Sequence, residues 1–322
     1  MKRVAVICGG YSSEYEISVL SAGNIAANLP AGYEGYLVFL TREGWSIEVD
    51  SEKVPFDPMS FSCETGSGKL NMDLAIIYIH GNPGENGKVQ AFLEMQGIPY
   101  VNSGPLASEL SFDKWYCNAF LSGFNIPVAK SIYLTDIKNT PEPEKIISQL
   151  GLPVFVKPCD SGSSYGIAKV KSSDELMPAV ENAFNEGRSI IIESFLDGTE
   201  VTCGAYRNKN GVQTLPLTEI VTENEFFDYE AKYKGLSDEI TPARIDDDMR
   251  DKIQELTRRI YNLLGLRSIS RVDYMIVGNE PYVIEVNTTP GFSPESIVPK
   301  MIKVAGISTQ ELWAEILEVE YQ

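Results

Sequence analysis

Lysines, an arginine and a set of acids are spaced in this chain so that they could serve a phosphorylated ligand and a divalent cation. Lys157 ends the strand-like run Val154-Phe155-Val156 and is followed by Ser161-Gly162-Ser163-Ser164-Tyr165-Gly166. Backbone N–H groups and hydroxyls of such a loop can surround phosphate oxygens, and the lysine adds a point charge. An isolated Gly/Ser loop is more often a flexible turn, and no GxxxxGK[ST] string is present. Lys114 falls among Leu110, Cys117 and Leu121 at helical spacing, within a stretch that predicts one helix over Ser108–Leu121. An ammonium on an apolar stripe is costly to bury unpaired. It either snorkels to the helix edge or meets a buried anion such as phosphate.

A second group lies further along. Arg271-x-Asp273 and Glu285-x-Asn287 each follow a period of two, so each pair faces one side of its strand. Across paired strands, Asp273, Glu285 and Asn287 offer three oxygen ligands. Mg²⁺ favours a few carboxylates completed by nucleotide phosphates. The neighbours Ile276, Val277, Ile284 and Val286 predict central strands, where inward polar groups need a partner. Thr288-Thr289-Pro290-Gly291 then breaks the second strand, and Gly291 is either a plain turn residue or an oxyanion donor through its N–H. His80, the single histidine, ends the apolar run Leu74–Ile79. Strand ends of open α/β sheets are where ligands bind, although a lone histidine is more often structural than catalytic.

These residues need elements to hold them. Val4–Cys8, Tyr36–Leu40 and Leu74–His80 predict strands, alternating with a helix opened by the capping box Ser13-x-x-Glu16 and another near Val89–Met95. Such alternation implies a parallel sheet with helices on both faces. Val54–Gly68, rich in Pro, Ser and Gly, predicts an irregular excursion. Strands follow at Ser131–Leu134, Val154–Lys157 and Ile190–Glu193, with a helix around Ser173–Asn185 and a hinge at Phe195–Gly198. The last third holds strands at Val201–Tyr206, Ser270–Val277 and Tyr282–Asn287, a helix with the stripe Met249, Ile253, Leu256, Ile260 and Leu264, and a short helix at Gln310–Leu317.

The bulk properties narrow the choice. A chain of 322 residues exceeds one ordinary core, so two or three domains are expected. No apolar run approaches the roughly 20 residues of a membrane helix, and Val4–Cys8 is too short for a signal peptide and reads as a strand of the mature protein. A net charge of −18 argues against sequence-independent nucleic-acid binding. Five scattered cysteines suit free thiols in the reducing cytoplasm, and one histidine argues against zinc.

Taken together, from Arg3 to about Leu317, these residues resemble the D-alanine–D-alanine ligase family of the ATP-grasp superfamily. Gly9-Gly10-Tyr11-Ser12-Ser13-Glu14-Tyr15-Glu16-Ile17-Ser18 is similar to the family's first signature, and His80-Gly81 with Gly84-Glu85-Asn86-Gly87 to its second. Phe227-Asp228-Tyr229-Glu230-Ala231-Lys232-Tyr233 looks like its omega loop. The resemblance implies an α/β, three-domain ATP-grasp architecture, with a Rossmann-like parallel-sheet domain over 1–105 and ATP-grasp subdomains over 106–195 and 196–322. It implies that Glu14 holds the amino group of a first D-alanine and that His80 lies near the substrate carboxylate. Lys114 and Lys157 would meet phosphates, Glu193 and Leu196 the adenine, and Glu200 the ribose, with Ser164 and Lys232 also on the nucleotide. Asp273, Glu285 and Asn287 would hold Mg²⁺ or Mn²⁺, two ions in all. Arg271 and Gly291 would stabilise an oxyanion, Ser296 would meet the second substrate, and Ser163 and Tyr233 would join Glu14 in one hydrogen-bonded chain. Ser194 stands where many members carry lysine.

The activity so implied is ATP-dependent joining of two D-alanines through an acyl phosphate, for peptidoglycan precursors, by an enzyme whose relatives are commonly homodimers. No nucleic-acid or membrane partner is expected. Ligases that use D-lactate or D-serine share nearly every motif, although lactate-making members differ more in the omega loop. A non-catalytic nucleotide sensor should have lost a metal ligand or a phosphate lysine, and a nicotinamide dehydrogenase should carry GxGxxG, which is absent.

Overall fold

The computed structural model describes residues 1–160, 165–222 and 237–321. Ser163, Ser164, Lys232 and Tyr233 lie outside the described residues.

The amino-terminal sheet is made of β1 (Lys2–Gly9), β2 (Tyr33–Thr41), β3 (Gly44–Val49), β4 (Glu52–Pro55), β7 (Leu74–Ile77) and β8 (Tyr100–Val101), with a separate hairpin of β5 (Ser62–Thr65) and β6 (Gly68–Asn71). The order is β4-β3-β2-β1-β7-β8. Pairings among β2, β1, β7 and β8 are parallel, as the strand–helix alternation predicts, while β3 and β4 extend the sheet antiparallel. β1 is interior and covered on both faces, which is why Val4–Cys8 is an unbroken apolar run. The expected excursion over Val54–Gly68 is more ordered than its composition predicts. Phe56, Phe61 and Cys63 from it pack into a core with Ile47 and Ile77, so burial overrides the turn-forming residues around them.

Two helix expectations are corrected. Helix α1 (Tyr15–Ala27) begins after Glu14 with no side-chain cap, so the Ser13-x-x-Glu16 box does not form. The neighbouring Ser12 hydroxyl instead donates to the His80 carbonyl at 2.7 Å and accepts the Glu14 N–H at 3.3 Å. Beyond α2 (Lys88–Met95), the stretch predicted as one helix is two, α3 (Pro105–Phe112) and α4 (Lys114–Gly123). They break at Asp113, which is extended (φ −81°, ψ 111°) and caps the Tyr116 N–H. Lys114 is therefore the first residue of a helix at a corner of the chain, rather than a mid-helix residue on a stripe.

The second sheet, β9 (Ser131–Leu134), β10 (Val154–Pro158), β11 (Ala168–Val170) and β12 (Ile190–Ser194), is wholly antiparallel in the order β11-β10-β12-β9. Helices α5 (Pro143–Leu150) and α6 (Ser173–Glu186) cover it through Ile146, Leu176 and Val180, which pack on Val154 and Val156. By strand alternation, Phe155 and Lys157 face the other way.

The third sheet joins β13 (Thr199–Asn208), β14 (Gly211–Thr214), β15 (Thr218–Thr222), β16 (Ser237–Ile240), β17 (Ile269–Val277) and β18 (Glu280–Asn287). Its path is β16-β15-β13-β17-β18, with β14 on β13. Helix α7 (Asp247–Leu263) packs Ile253, Ile260 and Tyr261 against Val272 and Tyr274, which leaves Arg271 and Asp273 on the opposite face. β18, expected to be central, is instead the terminal strand of this path. Its flank is met by the 127–128 segment, where the Val283 N–H donates to the Pro127 carbonyl at 2.9 Å. Finally α8 (Ile297–Val304) and α9 (Thr309–Glu320) lay Val298, Met301, Trp313 and Ile316 against Val4 and Val6 of the first sheet and against Tyr78, just past the end of β7, which stops at Ile77 rather than His80.

Candidate active site

Two cavities open between these sheets and meet at one side chain. The larger, about 430 Å³, takes Phe155, Lys157 and Glu193 from the second sheet and Glu200, Asp273 and Glu285 from the third, with Leu196 on the crossing between them. The smaller, about 310 Å³, is lined by Glu14, His80 and Glu85 from the amino-terminal part, by Arg271 and Asn287 from the third sheet, and by Gly291 and Ser296 from the segment after it. Lys114 lines the first cavity, and Glu285 lines both. Clefts of this size at such boundaries are the usual places for small ligands. The structure thus gathers every proposed site residue that it describes.

The larger cavity is a set of ion pairs. Lys157 Nζ lies 2.7 Å from Glu193 Oε2, and the second Glu193 oxygen accepts from the Asn118 amide at 2.9 Å. Lys114 Nζ lies 3.1 Å from Glu285 Oε1. Burial alone lowers the Lys114 pKa, but the adjacent Glu285 carboxylate more than reverses this, so the ammonium is held above its usual value. Arg244 grips Glu219 through Nε and Nη2 at 2.8 and 2.7 Å.

The expected cross-strand register is present. Asp273 lies opposite Glu285 and Arg271 opposite Asn287, with a β-bulge at the step from Asp273 to Tyr274. Bulges re-aim side chains next to functional sites. Both Asp273 oxygens are held by Arg271 at 2.8 Å, and one also accepts from the Asn287 amide at 3.0 Å. The Thr202 hydroxyl donates to the same carboxylate. Among the described residues, no three His, Cys, Asp or Glu gather as a metal site. Asp273 and Glu285 with the Asn287 carbonyl form a partial oxygen set of the kind that suits Mg²⁺ when phosphate oxygens complete the shell.

The smaller cavity works by burial instead. His80 is 5% exposed. Burial lowers its pKa against the opposing pull of Glu14, and its ring lies 3.4 Å from the Ser21 hydroxyl. Glu85 accepts the Gly81 N–H at 2.7 Å. Desolvation, and then the charge of Glu14, push its carboxyl up to about 8. At Gly291 a Cβ would stand 3.0 Å from the Ser296 hydroxyl, so the absence of a side chain keeps the backbone close to α8. Ser296 precedes α8 and shares its hydroxyl with that of Ser293 at 2.8 Å.

Sequence reasoning passed over several of these groups. Glu85 was visible within the Gly84–Gly87 string, but its raised pKa depends on burial. Asn118, Thr202, Glu219 and Arg244 carry no local signal, since each acts on a partner brought near by the fold.

A family model described as the D-ala D-ala ligase N-terminus matches residues 3–103, and one described as the D-ala D-ala ligase C-terminus matches residues 120–318. A D-alanine–D-alanine ligase from Porphyromonas gingivalis is 46% identical over 317 residues, covering 98% of this chain and 96% of that one. Among solved structures, D-alanyl-alanine synthetase A from Vibrio cholerae superposes with a TM-score of 0.88 at 30% identity, over 99% of this chain and 98% of that one. The VanG D-Ala:D-Ser ligase from Enterococcus faecalis gives 0.86 at 30% identity, over 99% of both chains. With matching models over both halves of its length, the chain belongs to the D-alanine–D-alanine ligase family.

Proposed function

We propose that the chain joins two D-alanine molecules into D-alanyl-D-alanine, with ATP converted to ADP and phosphate. The observation that carries this reading is Glu285, which lines both cavities and so marks where a phosphoryl group can pass from a nucleotide to an amino acid. In this reading the larger cavity takes ATP. Lys157 and Lys114 neutralise its phosphates, Glu193 and Leu196 face the adenine, and Glu200 faces the ribose. Ser164 and Lys232 are part of the same nucleotide set. Asp273, Glu285 and Asn287 would hold Mg²⁺, which when bound adds positive charge at the transferring phosphate.

The chemistry then follows from positioning and charge. Glu14 orients the first D-alanine by its ammonium, with His80 beside its carboxylate. That carboxylate attacks the γ-phosphorus, ADP leaves, and an acyl phosphate results. The amine of the second D-alanine, seated near Ser296, adds to the acyl carbon. Arg271 and the Gly291 N–H stabilise the oxyanion before phosphate departs. Ser163 and Tyr233 complete a hydrogen-bonded chain to Glu14. The units are 1–105 for substrate, 106–195 for nucleotide, and 196–322 for nucleotide, metal and omega loop. The five cysteines are buried free thiols, which suits a cytoplasmic enzyme, and a homodimer fits the same family reading.

Likeness to a D-Ala:D-Ser ligase makes D-serine the second acceptor to consider. Phosphate release should be followed with Mg²⁺ and ATP while D-alanine, D-serine and D-lactate are offered separately and in pairs. D-Alanine alone should suffice. Turnover that ignores D-alanine, or none with any amino acid, would sink the reading. Faster turnover with a D-alanine and D-serine mixture would reassign the second substrate.

A further inference from the structure

Three side chains from the amino-terminal part grip the backbone within residues 289–292. The Tyr78 hydroxyl donates to the Pro290 carbonyl at 2.9 Å. The Ser21 hydroxyl accepts the Phe292 N–H at 3.1 Å, and the Asn24 amide donates to the Phe292 carbonyl at 2.8 Å. The His80 ring lies 3.4 Å from the same Ser21 hydroxyl.

The Pro290 carbonyl and the Gly291 N–H belong to one planar peptide. In a trans peptide they point in opposite directions, so whatever fixes the carbonyl also aims the N–H. A donor on the carbonyl further polarises the amide and makes its N–H a better donor in turn. Tyr78 is fully buried. Burial holds its pKa well above 10, so it remains a hydroxyl at any working pH.

We propose that Tyr78 is a positioning residue for the reaction: through the Pro290–Gly291 peptide plane it aims the Gly291 N–H into the amino-acid cavity, while Ser21 and Asn24 hold the residue that follows. This rests on the reading of Gly291 as an oxyanion donor. The amino-terminal part thereby contributes to both substrates, holding one directly and setting the oxyanion site through the backbone of the other half.

Tyr78 also packs edge-on against Phe292 and Trp313, with ring centroids 5.8 and 6.4 Å away, so the ring has a packing role of its own. Tyr78→Phe keeps the ring and deletes the hydroxyl, which separates the two roles. The variant should lower kcat about tenfold, the effect of one hydrogen bond felt at the transition state. KM for ATP should stay unchanged. The ratio of phosphate released to dipeptide formed should rise, because slow aminolysis leaves the acyl phosphate to water. Asn24→Ala, which alters a half-buried helix position, should move kcat and that ratio in the same direction and serves if Tyr78→Phe does not fold. Arg271→Met is run alongside. If it abolishes turnover while Tyr78→Phe and Asn24→Ala lower only the melting temperature, the positioning role is wrong and the oxyanion reading stands. If none of the three changes kcat, the oxyanion reading falls and the inference falls with it.

Discussion

In the larger cavity, proposed above for the nucleotide, acids and bases stand in pairs: Lys157 on Glu193, Lys114 on Glu285, Arg244 on Glu219. In the smaller, proposed for the amino acids, Glu85 is pushed toward its neutral form, and burial disfavours the charged form of His80. The difference follows from what each must receive. A polyanion and its cation can exchange partners with groups that are already charged, at little extra desolvation cost. A zwitterionic amino acid brings both of its charges into a small space, and holding Glu85 and His80 uncharged leaves Glu14 and Arg271, which line the same cavity, as the charges placed to meet it.

Glu285 belongs to both sides, and Glu285→Gln should have the largest effect. It leaves Lys114 without its carboxylate and removes one proposed metal ligand, so kcat should fall, and the Mg²⁺ requirement should rise by roughly tenfold to a hundredfold. An Mg²⁺ titration of phosphate release checks this, and an unaltered titration would dissolve the distinction between the cavities.

A smaller effect is expected at Glu85. Its folded-state pKa is raised from 4.5 to about 8. Its contribution to stability is therefore full below about pH 4.5 and is lost as pH rises through 8. Relative to Glu85→Gln, the parent should melt progressively lower as pH is raised from 5 to 9. A pH-independent difference between the two would mean that the carboxyl is not held neutral.

The smallest effect belongs to pairs outside both cavities. Arg250 touches Asp247 and Asp251 on the exposed side of α7. Arg250→Ala should leave turnover and melting temperature unchanged, since solvent screens such pairs. A clear drop in either would show that pairing stabilises the molecule wherever it occurs, and is no mark of the nucleotide side.

Much of the site was legible because strand alternation is local. The placement of Lys157 opposite to Val154 and Val156, and the match of Asp273 with Glu285, need only a period of two and a correct pairing. The Asp113 break was hidden because Leu110, Lys114, Cys117 and Leu121 keep helical spacing across it, and one extended residue leaves no trace in a periodic pattern. Helices α5 and α8 were missed because each is eight residues long and holds a proline, at Pro143 and Pro299. The grip on residues 289–292 could not be read at all. Tyr78, Ser21 and Asn24 are more than 200 positions from their partners, and each looks like an ordinary strand or helix residue in its own neighbourhood.

That separation also bears on the order in which the molecule is made. Val4, Val6 and Tyr78 share a core with Phe292, Trp313 and Ile316. A growing chain can pair the strands of its first sheet early and cover part of one face with Ala22 and Ile25 of α1, but the rest of that face stays wet until residues beyond 290 emerge. Burial of that face and alignment of the 289–292 backbone then come from the same late contacts. Long-range closure of this kind is slow and gathers its cost at the end of folding. The backbone proposed to carry the oxyanion donor is therefore aligned by the same late contacts that complete this core.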